Sequence, residues 1–229
     1  MQNNIRLNKR LVELGLAESR RKADELISAH VVTINGQPSA ALGQLVTPDD
    51  SIKVRGKSGT QKSDITILFH KPTGYISSHS RQGNTPTIFE LLPKNFAHLK
   101  IVGRLDKDSE GLLILSSSGS LVQMLSHPSG QKEKEYIVQI DKKIDSELLT
   151  VLKKPITIEG KSASFYKISR IDQNHLKIVL QEGRNRQIRR MLEVHNIGVI
   201  KLQRTRIDSY ALGSIRPGKF EFIHIEADR

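Results

Sequence analysis

Residues 103–114 read GRLDKDSEGLLI, a stretch that sets an aspartate, Asp106, just ahead of an apolar run. The run over residues 112–115 predicts a buried strand. A carboxylate next to a buried strand costs several kcal/mol or more if it stays unpaired, so it needs a basic partner or a proton. Residues 182–191, EGRNRQIRRM, offer four arginines as that partner. A charged aspartate in a basic pocket indicates chemistry on a nucleic acid.

The overall charge favours a polyanionic partner. The chain has 229 residues, a formal net charge of +12 and a pI of about 9.9. This balance favours RNA or DNA over a membrane, although a merely basic soluble protein has the same composition. Cysteine is absent from the sequence, which excludes disulfides and thiolate metal sites. The first residues lack the apolar core of a signal peptide, so we expect a cytoplasmic protein.

The pattern of apolar residues predicts two domains of an α+β protein. Residues 1–60 are expected to form a small module of two helices and short strands, with a turn at Asn35-Gly36. Residues 61–229 alternate strands with short helices, which indicates a largely antiparallel sheet. Within this second domain, Tyr136 begins a predicted strand after a charged run.

Basic residues mark both helices of the first module. They are Arg6, Lys9 and Arg10 on the first helix and Arg20, Arg21 and Lys22 at the start of the second. A solvated face explains such residues equally well. However, three consecutive cations at a helix N-terminus oppose the helix dipole, a conflict that bound phosphates resolve. We therefore predict RNA contacts here.

Three other interpretations of Asp106 fit part of the sequence. Asp106, Asp108 and Glu110 match the first half of a calcium loop, but its twelfth position is Ser117 rather than an acid. The same acids resemble the carboxylate pair of a glycosidase, whose chemistry does not need a strongly basic protein. A structural ion pair is the third alternative. Calcium and sugar hydrolysis are therefore disfavoured, whereas the ion pair remains open.

The arginine motif supplies a partner for Asp106 and several RNA contacts. Ile188 and Met191 give its helix an apolar face, which places Arg189 near the edge of the core. We predict that Arg189 pairs with Asp106 and keeps it ionised, with Arg184 or Arg186 as the alternative partner. Arginines of such a helix also bind phosphates without any catalysis.

The whole chain resembles a known enzyme family. Residues 6–9 (RLNK), 14–17 (LGLA), 19–24 (SRRKAD) and 32–36 (VTING) resemble the S-four-like RNA-binding domain. Residues 70–74 (HKPTG), 103–112, 134–136 (KEY) and 182–191 resemble, in order, the motifs of ribosomal pseudouridine synthases. The branch with an S-four-like domain in front is the most similar, and within it the F-type synthases, which act on the large ribosomal subunit.

This resemblance implies roles for the site residues. Asp106 is expected to be the catalytic aspartate, Tyr136 the ring that stacks on the flipped uracil, and Arg189 the partner of Asp106. A core position is the default interpretation of Tyr136. The expected RNA contacts are Arg6, Lys9, Arg10, Arg20, Arg21, Lys22, Lys71, Arg104, Arg184, Arg186 and Arg190.

The resemblance also implies a substrate and partners. The reaction isomerises a uridine of ribosomal RNA, and we expect 23S rRNA or an assembly intermediate as the partner. No cofactor and no metal are expected, nor is a membrane, and we expect a monomer. The alternatives are a 16S rRNA target and a non-catalytic RNA-binding protein of ribosome assembly.

Overall fold

The computed structural model describes residues 4–39, 41–60, 64–127, 130–158 and 160–223. The chain divides into two compact units, Met1–Asp64 and Ile65–Arg229. Helices and mostly antiparallel sheets make up both units, which confirms the predicted α+β class. Among the described residues, no helix is both long and apolar enough to cross a membrane.

The first unit packs two helices on short strands. Its helices are α1 (Leu7–Glu13) and α2 (Arg20–Ser28). Its strands are β1 (Ile5–Arg6), β2 (Val32–Ile34), β3 (Gln37–Pro38), β4 (Leu45–Val46), β5 (Ile52–Val54) and β6 (Lys57–Ser58). One sheet has the order β3-β2-β5-β6, and β1 pairs with β4.

Local sequence signals explain both helices of this unit. The Ser19 side chain caps α2 by accepting a hydrogen bond from the Lys22 backbone N–H. Leu7, Leu11 and Ile27 then bury their side chains in the core of the unit. The predicted turn at Asn35-Gly36 joins β2 to β3, and both of its residues have positive φ angles, as a tight hairpin turn requires.

The second unit is built on one large sheet. The strands of this unit are β7 (Thr66–Lys71), β8 (Lys100–Val102), β9 (Glu110–Ser116), β10 (Lys134–Ile140), β11 (Ile156–Ile158), β12 (Lys161–Ala163), β13 (Lys167–Arg170), β14 (His175–Leu180), β15 (Val199–Ile207), β16 (Tyr210–Ala211) and β17 (Phe220–Phe222). The large sheet runs β13-β14-β10-β15-β9-β7-β17, with β16 paired to β15 and β8 paired to β9. Strands β11 and β12 form a separate two-stranded sheet.

Helices and side chains cover this sheet with two apolar clusters. The helices of the unit are α3 (Gly119–Ser126), α4 (Ser146–Leu152) and α5 (Gln187–Glu193), with 3-10 turns at Ile88–Leu91 and Lys94–Phe96. The larger cluster includes Phe69, Val138 and Met191, and the smaller one includes Leu112, Leu121 and Ile207. Neighbouring residues of β9, such as Leu112 and Leu113, therefore lie in different clusters, as the alternation of a strand requires.

The junction of β9 and β15 gives the sheet its parallel pairing. Arg204 of β15 is opposite Gly111 of β9, and on the other side it is opposite Tyr136 of β10. These three residues form one row across the middle of the sheet. Asp106 lies in the loop that leads into β9, close to this row.

Candidate active site

A cleft of about 900 Å³ opens at this row of the sheet. Its walls come from the loop before β9, from β10 and β15, and from the segment that leads into α5. Asp106, Tyr136, Arg184, Arg186 and Arg204 all line it. The fold therefore brings residues from four distant parts of the sequence to one cavity.

Asp106 is partly exposed in this cleft. Its side chain retains 35% of its accessible surface, and its Oδ2 lies 4.0 Å from Nη1 of Arg186. Its carbonyl accepts a hydrogen bond of 3.1 Å from the Ser109 N–H, which closes the turn over residues 106–109. Within the described residues the carboxylate accepts no hydrogen bond, so its oxygens are available to a ligand.

The arginine motif pairs with Asp108 rather than with Asp106. Both Nη atoms of Arg186 donate to the Asp108 carboxylate at 3.0 Å, and Nε of Arg189 lies 3.3 Å from the same group. The predicted pair between Arg189 and Asp106 is therefore wrong. Asp108 is the member of the tight turn that reaches α5. Among the described residues, the cation within 4.0 Å of Asp106 is Arg186, one of the two alternatives that the sequence leaves open.

Electrostatics keep Asp108 ionised. Burial acts to raise the pKa of the Asp108 carboxyl, but the hydrogen bonds from Arg186 and the charge of Arg189 outweigh it, and the pKa lies below its usual range. Burial also lowers the pKa of Arg189, an effect that the charge of Asp108 opposes. The site therefore contains one carboxylate that is held by two arginines and one that is largely free.

Tyr136 lies in the floor of the cleft. Its side chain is 7% exposed and belongs to the larger apolar cluster, and it also lines the cavity that contains Asp106. A buried position in the core and a place in the lining of the cavity are therefore both true of Tyr136. A planar ligand that enters the cleft meets an aromatic side chain in its lining.

Arg204 is a residue of the site that sequence reasoning missed. It is 1% exposed, its Nε donates to the Leu112 carbonyl at 2.8 Å and its Nη1 to the Arg104 carbonyl at 3.4 Å. Those two carbonyls lie on either side of Asp106 in the sequence, so Arg204 holds the loop that presents it. The sequence signal that could have revealed Arg204 was the alternation of side chains along a strand, which places it on the same face of β15 as the buried Leu202.

Lys71 was predicted to contact RNA, and this prediction is wrong. The side chain is fully buried, and its Nζ donates to the carbonyls of Ser109 at 2.6 Å and Pro72 at 3.0 Å. Lys71 therefore ties the end of β7 to the turn that follows Asp106. Burial lowers its pKa to about 8, an effect that the charges of Asp108 and Asp106 oppose.

We predict a pH-dependent contribution of Lys71 to stability. The folded pKa of about 8 lies below the unfolded value of 10.5, so the unfolded chain binds more protons between these pH values. The free energy of unfolding of the wild type should therefore rise relative to Lys71→Met, by about 3 kcal/mol between pH 8 and 10.5. Urea titrations of both proteins at these pH values measure the difference, and a difference independent of pH contradicts it.

The remaining predicted RNA contacts divide by exposure. Exposed side chains belong to Arg6, Arg20, Arg21, Lys22, Arg104, Arg184 and Arg186, and partly exposed ones to Lys9 and Arg190. Arg10 is buried, with its Nη2 donating to the Pro48 carbonyl at 3.0 Å and its Nη1 3.4 Å from Glu13. The prediction of an RNA contact for Arg10 is therefore wrong, because this side chain braces α1 within the unit.

Comparison with known proteins identifies the family. Residues 65–194 match the family model described as RNA pseudouridylate synthase, and residues 5–52 match that of the S4 domain. An uncharacterized RNA pseudouridine synthase of Aquifex aeolicus is 32% identical over 219 residues, which cover 94% of this chain and 91% of the relative. This chain belongs to the RNA pseudouridylate synthase family, and it carries an S4 domain in front of the synthase domain.

Other relatives have more specific names. The dual-specificity RNA pseudouridine synthase RluF of Escherichia coli is 34% identical over 221 residues, covering 95% of this chain and 75% of the relative. Ribosomal large subunit pseudouridine synthase B of Xylella fastidiosa is 34% identical over 221 residues, but they cover 46% of that relative. A solved pseudouridylate synthase shares the fold, with a TM-score of 0.67, 24% identity and 96% coverage of both chains.

Proposed function

We propose that this protein isomerises one uridine of large-subunit 23S rRNA to pseudouridine, acting in the cytoplasm where ribosomes assemble. The observation that carries the proposal is the cleft in which Asp106, Tyr136 and Arg186 meet. The names of its relatives, one of them a ribosomal large subunit synthase, support the choice of substrate. The protein would act as a monomer on rRNA or an assembly intermediate.

The reaction is a balanced isomerisation. The bond between ribose C1′ and uracil N1 breaks, the base rotates, and a bond forms between C1′ and C5. A proton leaves C5 and a proton is gained at N1, so no atom is added and no redox step is needed. Extruding the base costs a few kcal/mol, which stacking on Tyr136 and phosphate contacts offset.

The residues of the cleft fit distinct parts of this reaction. The Asp106 carboxylate, partly exposed and without a hydrogen bond from the described residues, is the reactive group. Tyr136 stacks on the uracil that has been flipped into the cleft. Arg186 stands beside Asp106 as the cation that balances its charge, the role first predicted for Arg189.

The first unit is proposed to bind the structured RNA around the target. Arg20, Arg21 and Lys22 are exposed in the first turn of α2, where Lys22 also pairs with Glu25 at 2.6 Å. Three adjacent cations at a helix N-terminus are unfavourable without an anion, and an RNA phosphate supplies one.

We predict a weaker salt dependence of RNA binding when these charges are removed. In the full chain, the triple variant Arg20→Gln, Arg21→Gln, Lys22→Gln should reduce the slope of log K against log salt concentration by about 2. The matched control replaces the exposed Lys53, Arg55 and Lys57 of the same unit with glutamine. Equal slopes for the α2 variant and the wild type would contradict an RNA contact at α2.

The experiment that tests the function is to map pseudouridines in a strain that lacks the gene. Carbodiimide labelling of 23S and 16S rRNA should show one 23S position that has lost its pseudouridine and regains it on complementation. A lost position in 16S rRNA would establish the alternative substrate. Unchanged modification with defective ribosome assembly would favour the non-catalytic alternative.

A further inference from the structure

We propose that Lys134, together with the buried charge of Arg204, forms a binding site in the cleft for a phosphate group of the RNA backbone. The inference rests on the proposed function, because it takes RNA as the ligand of this cleft. Neither residue is among the RNA contacts that the sequence predicts.

The two cations face the cleft from neighbouring strands. On β10, Lys134 stands two residues before Tyr136, and the two side chains therefore lie on the same face of the sheet. On β15, Ile207 is opposite Lys134 and Arg204 is opposite Tyr136, so β15 has one more residue between these positions than β10 has. This β-bulge turns both Arg204 and Ile207 towards the cleft, whose lining includes all four residues.

On the opposite face of the same strands, cations are paired with carboxylates. Arg206, which the bulge turns away from the cleft, lies 2.9 Å from Glu133 and 3.8 Å from Glu135. Lys177 of β14 also lies 2.9 Å from Glu135. The negative charges of this part of the sheet are therefore used on the face that the cleft does not occupy.

The two cations of the cleft face form no ion pair with a carboxylate of the described residues. Nζ of Lys134 donates to the Lys132 carbonyl at 3.0 Å, whereas Arg204 donates to two carbonyls and its Nη2 has no hydrogen-bond partner in the described part of the chain. Burial lowers the pKa of Lys134 and the charge of Arg204 lowers it further, an effect that Asp208 opposes. Two neighbouring cations that are withdrawn from water are unfavourable unless an anion joins them.

A phosphate of the RNA backbone is the anion that fits this position. Lys134 and Tyr136 are about 7 Å apart along the strand. A nucleotide whose base lies against Tyr136 can therefore place a phosphate at Lys134. The ammonium group of Lys134 donates hydrogen bonds to the phosphate oxygens, and Arg204 adds its charge from below the surface of the cleft.

The test measures how salt affects the binding of the full chain to transcribed 23S rRNA. Lys134→Gln should lower the affinity about 10-fold and reduce the slope of log K against log salt concentration by about 1. Lys134→Arg keeps the charge and should retain the slope of the wild type. The matched control is Lys177→Gln, which removes the same charge from the opposite face of the sheet and should leave the slope unchanged.

Inorganic sulfate provides a readout that depends neither on RNA nor on activity. A wild-type crystal soaked in sulfate should hold the ion about 3 Å from Nζ of Lys134, and a crystal of Lys134→Gln should not. The proposal is overturned if Lys134→Gln keeps the slope of the wild type, or if no sulfate lies at Lys134. A wild type that binds rRNA through Lys134 but releases no tritium from 5-tritiated uridine would contradict the proposed function alone, and the phosphate site would stand.

Discussion

Replacing Asp106 with asparagine is expected to abolish isomerisation while the fold and the RNA affinity stay nearly intact. The change is isosteric, and no described hydrogen bond to the carboxylate is lost, since its nearest partner is Arg186 at 4.0 Å. Loss of an essential catalytic group costs several orders of magnitude in rate. Tritium release under single-turnover conditions, alongside thermal unfolding and an RNA-binding titration, separates these effects. Near-normal turnover by Asp106→Asn would show that the assignment of the catalytic residue is wrong.

The largest loss of stability is expected from Gly111→Ala. Gly111 has a φ of 109°, which an L residue rarely adopts, and an added Cβ would overlap the Arg204 carbonyl oxygen and lie 2.6 Å from the Arg204 backbone N. The obstructing atoms are backbone atoms of the central strand β15, so they cannot rotate away. We expect the free energy of unfolding to fall by about 4 kcal/mol or more, measured by urea titration.

A matched glycine provides the control for this prediction. Gly183 has open space around the position of an added Cβ. Gly183→Ala should therefore change the free energy of unfolding by less than about 1 kcal/mol. If the two variants unfolded at the same urea concentration, the close approach of β9 and β15 would not be the constraint on Gly111.

The elements that the sequence predicted best are those with local signals. The capped helix α2, the turn at Asn35-Gly36 and the apolar run of β9 each depend on residues adjacent in the chain. Motif order was sufficient to identify the family, because the matched residues are specific in type and spacing. These predictions required no knowledge of which strands pair.

The contacts within the site were harder to predict from the sequence, because they depend on the direction in which each side chain points. The position of Arg189 on one face of its helix correctly predicted that it lies near the edge of the core. The tight turn over residues 106–109, however, places Asp108 rather than Asp106 next to α5. Lys71 is a cation in a motif of a basic protein, so sequence alone favoured a phosphate contact. Its burial follows from the pairing of β7 with β9, which lies far along the chain. Arg204 reaches the cleft through the parallel pairing of β15 with β9.

We propose that the purified chain by itself makes pseudouridine in large-subunit rRNA. The most direct test incubates the full-length protein with transcribed 23S and 16S rRNA and maps the products by carbodiimide labelling and primer extension. We expect one modified uridine in 23S rRNA, formed without any added cofactor and absent with Asp106→Asn. RNA that is bound tightly by the wild type but carries no pseudouridine would contradict it.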